Sequence, residues 1–275
     1  MEVDQHEYEI RPKKKFSFGI GELLEFRELL YFFIWRDVKV KYKQTFFGIA
    51  WVVFQPLLLM LVFTFVLGAR FQQDLGSVPY GVFVLSGLLL WNVFSSALSN
   101  AGNSMVTNAN IIKKIYFPRL IIPISSVAVA FIDFTVAIFI YIIALFWMQA
   151  AIEPSGILWV IPSLLLTFSA AMGMGSFIAA WNVKYRDFRY ILPFFIQALM
   201  FLSPVFYPLC HDCSWVSKLF ALNPMYAPIE LFRMHLSGNT MEWSLITISI
   251  CTNICWLFAG LFTFRKMENY FADLA

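Results

Sequence analysis

The chain reads as an all-α membrane protein, a single domain over residues 1–275. The expected architecture is six transmembrane helices with both termini cytoplasmic, an N-terminal amphipathic interfacial helix and outer re-entrant helices. Three observations predict this class. Apolar residues make up 60% of the chain and charged residues only 13%, too few to clothe a soluble domain of this size. Six apolar runs are long enough to cross a hydrocarbon core about 30 Å thick, which takes roughly 20 helical residues, and they are continuous where a barrel strand would alternate. Finally, Lys and Arg sort by side. With the N-terminus inside, Arg11, Lys13, Lys14, Lys15, Arg27, Arg36, Lys39, Lys41, Lys43, Lys113, Lys114, Arg119, Lys184, Arg186, Arg189, Arg265 and Lys266 are cytoplasmic. Only Arg70, Lys218 and Arg233 lie opposite, as the positive-inside rule requires.

Residues 1–20 are polar, with Pro12 and the run Lys13–Lys15, and read as a flexible tail. Residues 21–45 interleave Leu23, Leu24, Phe26, Leu30, Phe33 and Ile34 with Glu22, Glu25, Arg27, Glu28, Arg36 and Asp37. This segment is too short to span and suits a helix in the cytoplasmic headgroup layer. It is either a lipid anchor for the first span or a docking and substrate-gating helix. Its end, Trp35–Gln44, alternates Lys39, Lys41 and Lys43 with Val38, Val40 and Tyr42, then passes without a linker into apolar sequence. The spans are placed near 47–68, 80–100, 120–147, 157–181, 191–208 and 243–264. No cleavable signal precedes them, since Leu29–Trp35 is short and followed by charge.

Gly102–Arg119, GNSMVTNANIIKKIYFPR, is the largest cytoplasmic connection. Asn103, Ser104, Thr107 and Asn108 are cap formers, Ile111 and Ile112 supply an apolar face, and Pro118 closes the segment. A short crosswise helix here presents Asn108, Asn110, Lys113 and Lys114 to the cytosol. On the outer side, residues 203–240 are broken by Pro204, Pro208, Pro224 and Pro228, yet SWVSKLFAL and MYAPIELFRMHL stay apolar and aromatic. Such pieces are too short to cross and too apolar for free loops. They make a candidate outer gate, with Phe206, Tyr207, Pro224 and Tyr226, or else a structural cap.

The spans hold few groups capable of chemistry. Asp133 is the one acid well inside a run, which makes it a functional candidate or a carboxyl satisfied by a neighbouring Ser or Asn. Asn92, Ser96, Ser99 and Asn103 share one face of the second span, lining an aqueous route or binding helices together. Ala171, Gly175 and Ala179 mark close helix packing. Aromatics reach 19%, and Trp51, Phe54, Phe194, Phe195, Phe201, Phe206 and Tyr207 exceed what interfacial belts need. Aromatic faces stack on the C–H faces of sugars, and lipid-facing filler is an equal reading. Cys251 and Cys255 suit packing. Cys210 and Cys213, in CHDC, are free thiols, a disulfide, or with His211 and Asp212 a metal site. No catalytic motif, no internal repeat and no resident metal or cofactor is evident; G-x-x-x-x-G-K-[ST], H-E-x-x-H and G-x-S-x-G are all absent. Transport by this chain therefore draws on a gradient or on a separate ATPase. Basic charge sorted across a membrane argues against a nucleic-acid partner.

Three blocks carry a resemblance: LLYFFIWRDVKVKYKQTFFGIAWVVFQPLLLMLVFTFVLG, VFVLSGLLLWNVFSSALSNAGNSMVTNANIIKKIYFPRLIIP, and NVKYRDFRYILPFFIQALMFLSPVFYP with LNPMYAPIELFR. From about residue 28 onward the chain resembles the membrane subunit of type 2 ABC exporters for cell-surface polysaccharides, most of all the O-antigen export permeases. The resemblance implies a non-catalytic permease in the inner membrane, a homodimer with two copies of a cytosolic ATPase that bind ATP and Mg. It also implies a lipid-linked polysaccharide substrate, typically on undecaprenyl diphosphate. Trp35–Gln44 then matches the interfacial helix, Asn103–Phe117 the coupling-helix loop and Ser203–Ser237 the outer gate. Trp51, Phe54, Asn92, Ser96, Phe194, Phe195 and Phe201 become tunnel-lining candidates. Arg36, Lys39, Lys41 and Lys43 are the candidates for a diphosphate at the cytoplasmic mouth. CHDC departs from the family pattern. A membrane-embedded transferase acting on lipid-linked sugars needs clustered acids or histidines, and a gradient-driven carrier needs paired intramembrane charges; both remain as alternatives.

Overall fold

A computed structural model describes residues 20–43, 50–208, 214–236 and 242–268. These form α1 (Ile20–Glu25), α2 (Arg27–Lys43), α3 (Ala50–Phe71), α4 (Tyr80–Thr107), α5 (Ala109–Ile112), α6 (Ile121–Trp147), α7 (Val160–Lys184), α8 (Phe188–Phe201), α9 (Ser214–Ala221), α10 (Tyr226–Phe232) and α11 (Trp243–Met267). Short 3-10 turns at Pro154–Trp159 and Arg233–His235 complete the set. The tail at 1–19, the sidedness of the termini and the CHDC segment lie outside the described residues.

The axis of the bundle is α4. It is buried along most of its length and touches α3, α6, α7 and α8. Small residues let neighbours come this close. A Cβ on Gly175 of α7 would sit 2.7 Å from the Ala101 Cβ of α4, and Ala171 and Ala179 are fully buried, so the expected small-residue stripe is a packing seam. A second seam joins α7 to α11, where a Cβ on Gly260 would lie 1.8 Å from the Gly173 carbonyl oxygen. Hydrogen bonds reinforce the seams: Asn253 Nδ2 donates to Leu166 O at 2.9 Å, and Asn182 Nδ2 donates to Gly102 O and Asn103 Oδ1, each at 3.0 Å. In hydrocarbon such groups have no other partner.

Among the described residues the expected sixth long helix is absent. Five helices among the described residues are long and apolar enough to cross a membrane: α3, α4, α6, the segment ending in α7, and α11. In place of a span at 191–208 stands α8, 14 residues and about 21 Å long, short of a hydrocarbon core of about 30 Å. Residues 202–207 are turns. Pro204 explains the break: it lacks a donor and biases Ser203 away from helix, while Ser203 Oγ closes on Leu199 O at 2.8 Å. An apolar count cannot see this, because the turn is as hydrophobic as the helix before it. Along this stretch Leu192 packs at Gly102 of α4 and Val205 at Gly87.

Two further expectations shift. The second span does not stop near 100: α4 runs to Thr107, and the connection beyond it holds only the four-residue α5. Asn103, Ser104 and Thr107 do not cap helices; their side chains bond back to carbonyls three or four residues earlier. Helix α2 packs lengthwise on α6. Phe33 meets Phe117 with ring centroids 5.7 Å apart, and eight residues later Lys41 of α2 reaches Asp133, about 18 Å from the start of α6.

The α7–α11 seam makes a direct prediction. Gly260→Val places side-chain atoms inside the Gly173 backbone, so it is expected to cost at least about 1–3 kcal/mol of stability and to lower the unfolding temperature in detergent. An unchanged melting curve contradicts the seam.

Candidate functional site

A polar cleft of about 450 Å³ opens where α2, α4 and α6 meet. It lies at the end of the bundle that carries Lys113, Lys114, Lys184 and Arg265, the strongly basic end. From α2 come Arg36, Asp37, Val40 and Lys41; from α4 come Ser96, Ser99, Asn100, Asn103, Ser104 and Thr107, with Asn108 beyond its end; α6 adds Ser126 and Val129. Of the predicted polar face of α4, Ser96, Ser99 and Asn103 therefore line the cleft, while Asn92 does not and stays half-buried higher on the helix.

Two clasps hold α2 against this wall. Arg36 bonds Asp37 at 2.6 Å and Asn108 Oδ1 at 2.8 Å, and its guanidinium lies 4.7 Å from the Phe33 ring centroid. Asn108, buried, also donates Nδ2 to Ser104 O at 2.9 Å. Lys41 and Tyr42 both close on the Asp133 carboxylate, so the intramembrane acid is partnered from α2 and not by a neighbouring Ser or Asn. The sequence reading missed this because the partners lie 92 and 91 residues away. The other two lysines are different. Lys39 is exposed and sits 4.4 Å from the Trp35 ring centroid, and Lys43 is exposed at the end of α2.

Asn108 joins the cleft to the next feature, because it is at once the last cap of α4 and the first of α5. Beyond it Asn110, Lys113 and Lys114 are exposed, and a second hollow of about 290 Å³ is walled by Ile112, Lys113, Lys114, Ile115, Tyr116, Phe117 and Arg119. Buried Ile112 and Phe117 fix this loop while Lys113 and Lys114 face outward and Arg119, half-buried, donates to Glu268 O.

At the opposite end one residue ties three elements together. Arg233 is fully buried and donates to Pro204 O at 2.5 Å, Val205 O at 3.0 Å, Phe83 O at 3.1 Å and Ser86 Oγ at 3.2 Å; Glu230 is 3.3 Å away. Its guanidinium lies 3.6 Å from the Phe83 ring centroid. Burial works against the charge and lowers its affinity for the proton, Glu230 supports it, and the guanidinium stays ionised. Gly87 leaves the room: a Cβ there would be 2.7 Å from Arg233 Nη2. Next to it His235 Nδ1–H donates to Phe232 O, and Nε2 lies 2.7 Å from the Tyr141 hydroxyl, so a neutral ring is satisfied at both nitrogens. Burial pushes its pKa below the ordinary value. Sequence reading counted Arg233 only as an outer charge; a lone Arg inside MYAPIELFRMHL was the available signal.

The predicted aromatic residues divide. Trp51 and Phe54 of α3, ring centroids 5.9 Å apart, and Phe194 and Phe201 of α8 are exposed. Phe195 instead lines a separate apolar hollow with Phe177, Phe188 and Trp256. Phe206 is buried, stacked on Phe63 at 3.8 Å; Tyr207 is half-buried against Phe220; Pro224 and Tyr226 are buried. The residues predicted for an outer gate are thus mostly packed, Phe206, Pro224 and Tyr226 buried and Tyr207 half-buried. Among the described residues no cluster of His, Cys, Asp or Glu is arranged to hold a metal.

Comparison with known proteins places this geometry. The family model of the ABC-2 type transporter matches residues 28–236. The chain belongs to that family. It is 28% identical over 265 residues to the O-antigen export system permease protein RfbA of Klebsiella pneumoniae, covering 94% of the chain and 98% of the relative. The RfbA of Myxococcus xanthus is 26% identical, over 90% and 96% of the two chains. The polysialic acid transport protein KpsM of Escherichia coli is 21% identical, over 85% and 91%. As an ABC-2 membrane subunit the chain is a multi-pass, non-catalytic permease, and ATP hydrolysis belongs to a separate subunit.

Two outcomes follow for the permease. Arg233→Ala strands several buried carbonyls and is expected to destabilise the cap by about 3–5 kcal/mol, read as proteolysis near residues 202–236. For His235 the folded pKa lies below the unfolded value of about 6.5, so its contribution is present above that pH and is lost as the pH falls towards the folded pKa. The unfolding temperature should therefore drop on acidification from neutral pH, and His235→Gln should flatten part of that slope.

Proposed function

We propose that this permease is the membrane subunit of an ATP-driven exporter that moves a lipid-linked polysaccharide, O-antigen-like and carried on undecaprenyl diphosphate, from the cytoplasm to the outer face of the inner membrane. Two copies of the chain pair with two copies of a cytosolic ATPase, which binds the ATP and Mg. The relatives named for O-antigen and polysialic acid export support this substrate class.

One observation carries the mechanism. Asn108 binds Arg36 of α2 and at the same time stands between α4 and α5, so the basic helix and the exposed loop of Asn110, Lys113 and Lys114 share a joint. The loop is the docking point for the ATPase, and nucleotide-driven movement there reaches α2 through that joint. Lys39 and Lys43, the exposed lysines of α2, attract the diphosphate at the mouth, while Arg36 and Lys41 are held by Asp37 and Asp133. Trp51, Phe54, Asn92, Ser96, Phe194, Phe195 and Phe201 wall the route, and Phe206, Tyr207, Pro224 and Tyr226 gate its far end.

Co-expression with the ATPase subunit should give a stable complex whose vesicles export lipid-linked polymer only with hydrolysable nucleotide. Export driven by an ion gradient alone contradicts the reading. Replacing Lys39 and Lys43 together with Gln should reduce surface glycan at least tenfold, since even one charge-assisted contact of about 1.5–3 kcal/mol is worth roughly tenfold or more; normal surface glycan sinks the headgroup role.

A further inference from the structure

The two cations that line the polar cleft are already neutralised, Arg36 by Asp37 and Lys41 by Asp133. An anion seated here must displace a carboxylate from each and still meets Asp37 in the same wall. The rest of the lining is neutral. The Ser99 hydroxyl and the Asn100 side-chain oxygen have no hydrogen-bond partner among the described residues, and Asn100 uses only Nδ2, towards Ser96 at 3.3 Å. Hydroxyls, amides and two compensated cations together donate and accept, as does each hydroxyl of a polyol. The volume of about 450 Å³ falls within the ~300–1,000 Å³ typical of small-ligand sites.

The unpaired cations of α2 lie on another stripe. Trp35, Lys39 and Lys43 follow at four-residue intervals, beside the cleft-lining stripe of Arg36 and Val40. Both lysines are exposed, and four residues bring their side chains near enough to grip two linked phosphates.

We propose that the cleft between α2, α4 and α6 is a glycosyl-binding site. It takes the neutral, hydroxyl-bearing sugar next to the lipid, while Lys39 and Lys43 hold the diphosphate outside it. The assignment rests on the exporter reading and narrows it: Arg36 and Lys41 shape the site and do not bind phosphate. Recognition of the first sugar then separates loaded from unloaded carrier lipid, because only the glycosylated lipid exchanges water in the cleft for its hydroxyl and amide groups.

The test uses the full permease with its ATPase in nanodiscs, titrated with undecaprenyl diphosphate and with undecaprenyl diphosphate bearing one N-acetylglucosamine. The sugar-bearing lipid is expected to bind roughly tenfold tighter. Ser99→Ala with Asn100→Ala should abolish that increment and leave the bare lipid's affinity unchanged, which also shows that the variant is folded. Lys39→Gln with Lys43→Gln should weaken both lipids equally. No increment in the unmodified protein, or one that survives the Ser99 and Asn100 changes, overturns the glycosyl site while lipid binding keeps the exporter reading intact. Failure of both lipids to bind better than undecaprenol itself overturns the two together.

Discussion

Hydrocarbon offers no hydrogen-bond partner, so a polar group inside this bundle is costly unless another part of the chain satisfies it. That constraint decides where the short elements go. Arg233 needs several acceptors, and the turn after α8 supplies two of them as Pro204 O and Val205 O, with Phe83 O of α4 as the third. The broken helix and the buried arginine are thus one structure: the turn frees carbonyls, and the guanidinium consumes them. Asp133 poses the same problem halfway along α6, and α2 answers it with Lys41 and Tyr42. A charged helix is drawn against an apolar one because leaving either charge alone costs more than ordering both.

The seams explain which parts are able to move. α4, α7 and α11 meet through Gly and Ala backbones with no side-chain cushion, and such contacts are bistable or rigid and not gradually deformable. By contrast α3 and α8 present large exposed apolar faces, Phe65 and Phe194 among them, and are held mainly along one side by α4. In a membrane those faces meet lipid or a second copy of the permease. On the proposed function, a polymer route bounded by α3 and α8 is walled by the elements least constrained by the core.

Much of this was readable from the residues alone. Long apolar runs located four helices to within a few residues, since burial in hydrocarbon and helix length impose the same count. The small stripe at Ala171, Gly175 and Ala179 found its seam for a local reason, the fixed period of the helix. What failed was everything decided at long range. The run at 191–208 looks like the others until Pro204 and Arg233, 29 residues apart, are brought together. The cap-forming residues after Gly102 prefer turns in isolation, but continued packing of α4 on α7 extends the helix past them, and Asn182 rewards that extension through Asn103. The candidate site was half visible: the lysines of α2 stood out as a pattern, whereas their division into paired and free required the position of Asp133.

That division changes how the basic end should be understood. Positive charge near a membrane surface attracts phosphate whatever its source, so a row of lysines by itself says nothing about selectivity. Selectivity needs groups that lose something when the wrong ligand arrives. Lys39 and Lys43, exposed, lose little against any anionic lipid. The cleft behaves otherwise, because Arg36 and Lys41 are committed to carboxylates and hold α2 at a fixed distance from the hydroxyls and amides of α4. Structural ion pairs of this kind contribute little net stability, but they set a spacing, and a spacing is what a sugar of defined size requires. The same Arg36 touches Asn108 at the root of the exposed loop, so on the proposed function a ligand in the cleft and an ATPase at the loop would be read by one side chain.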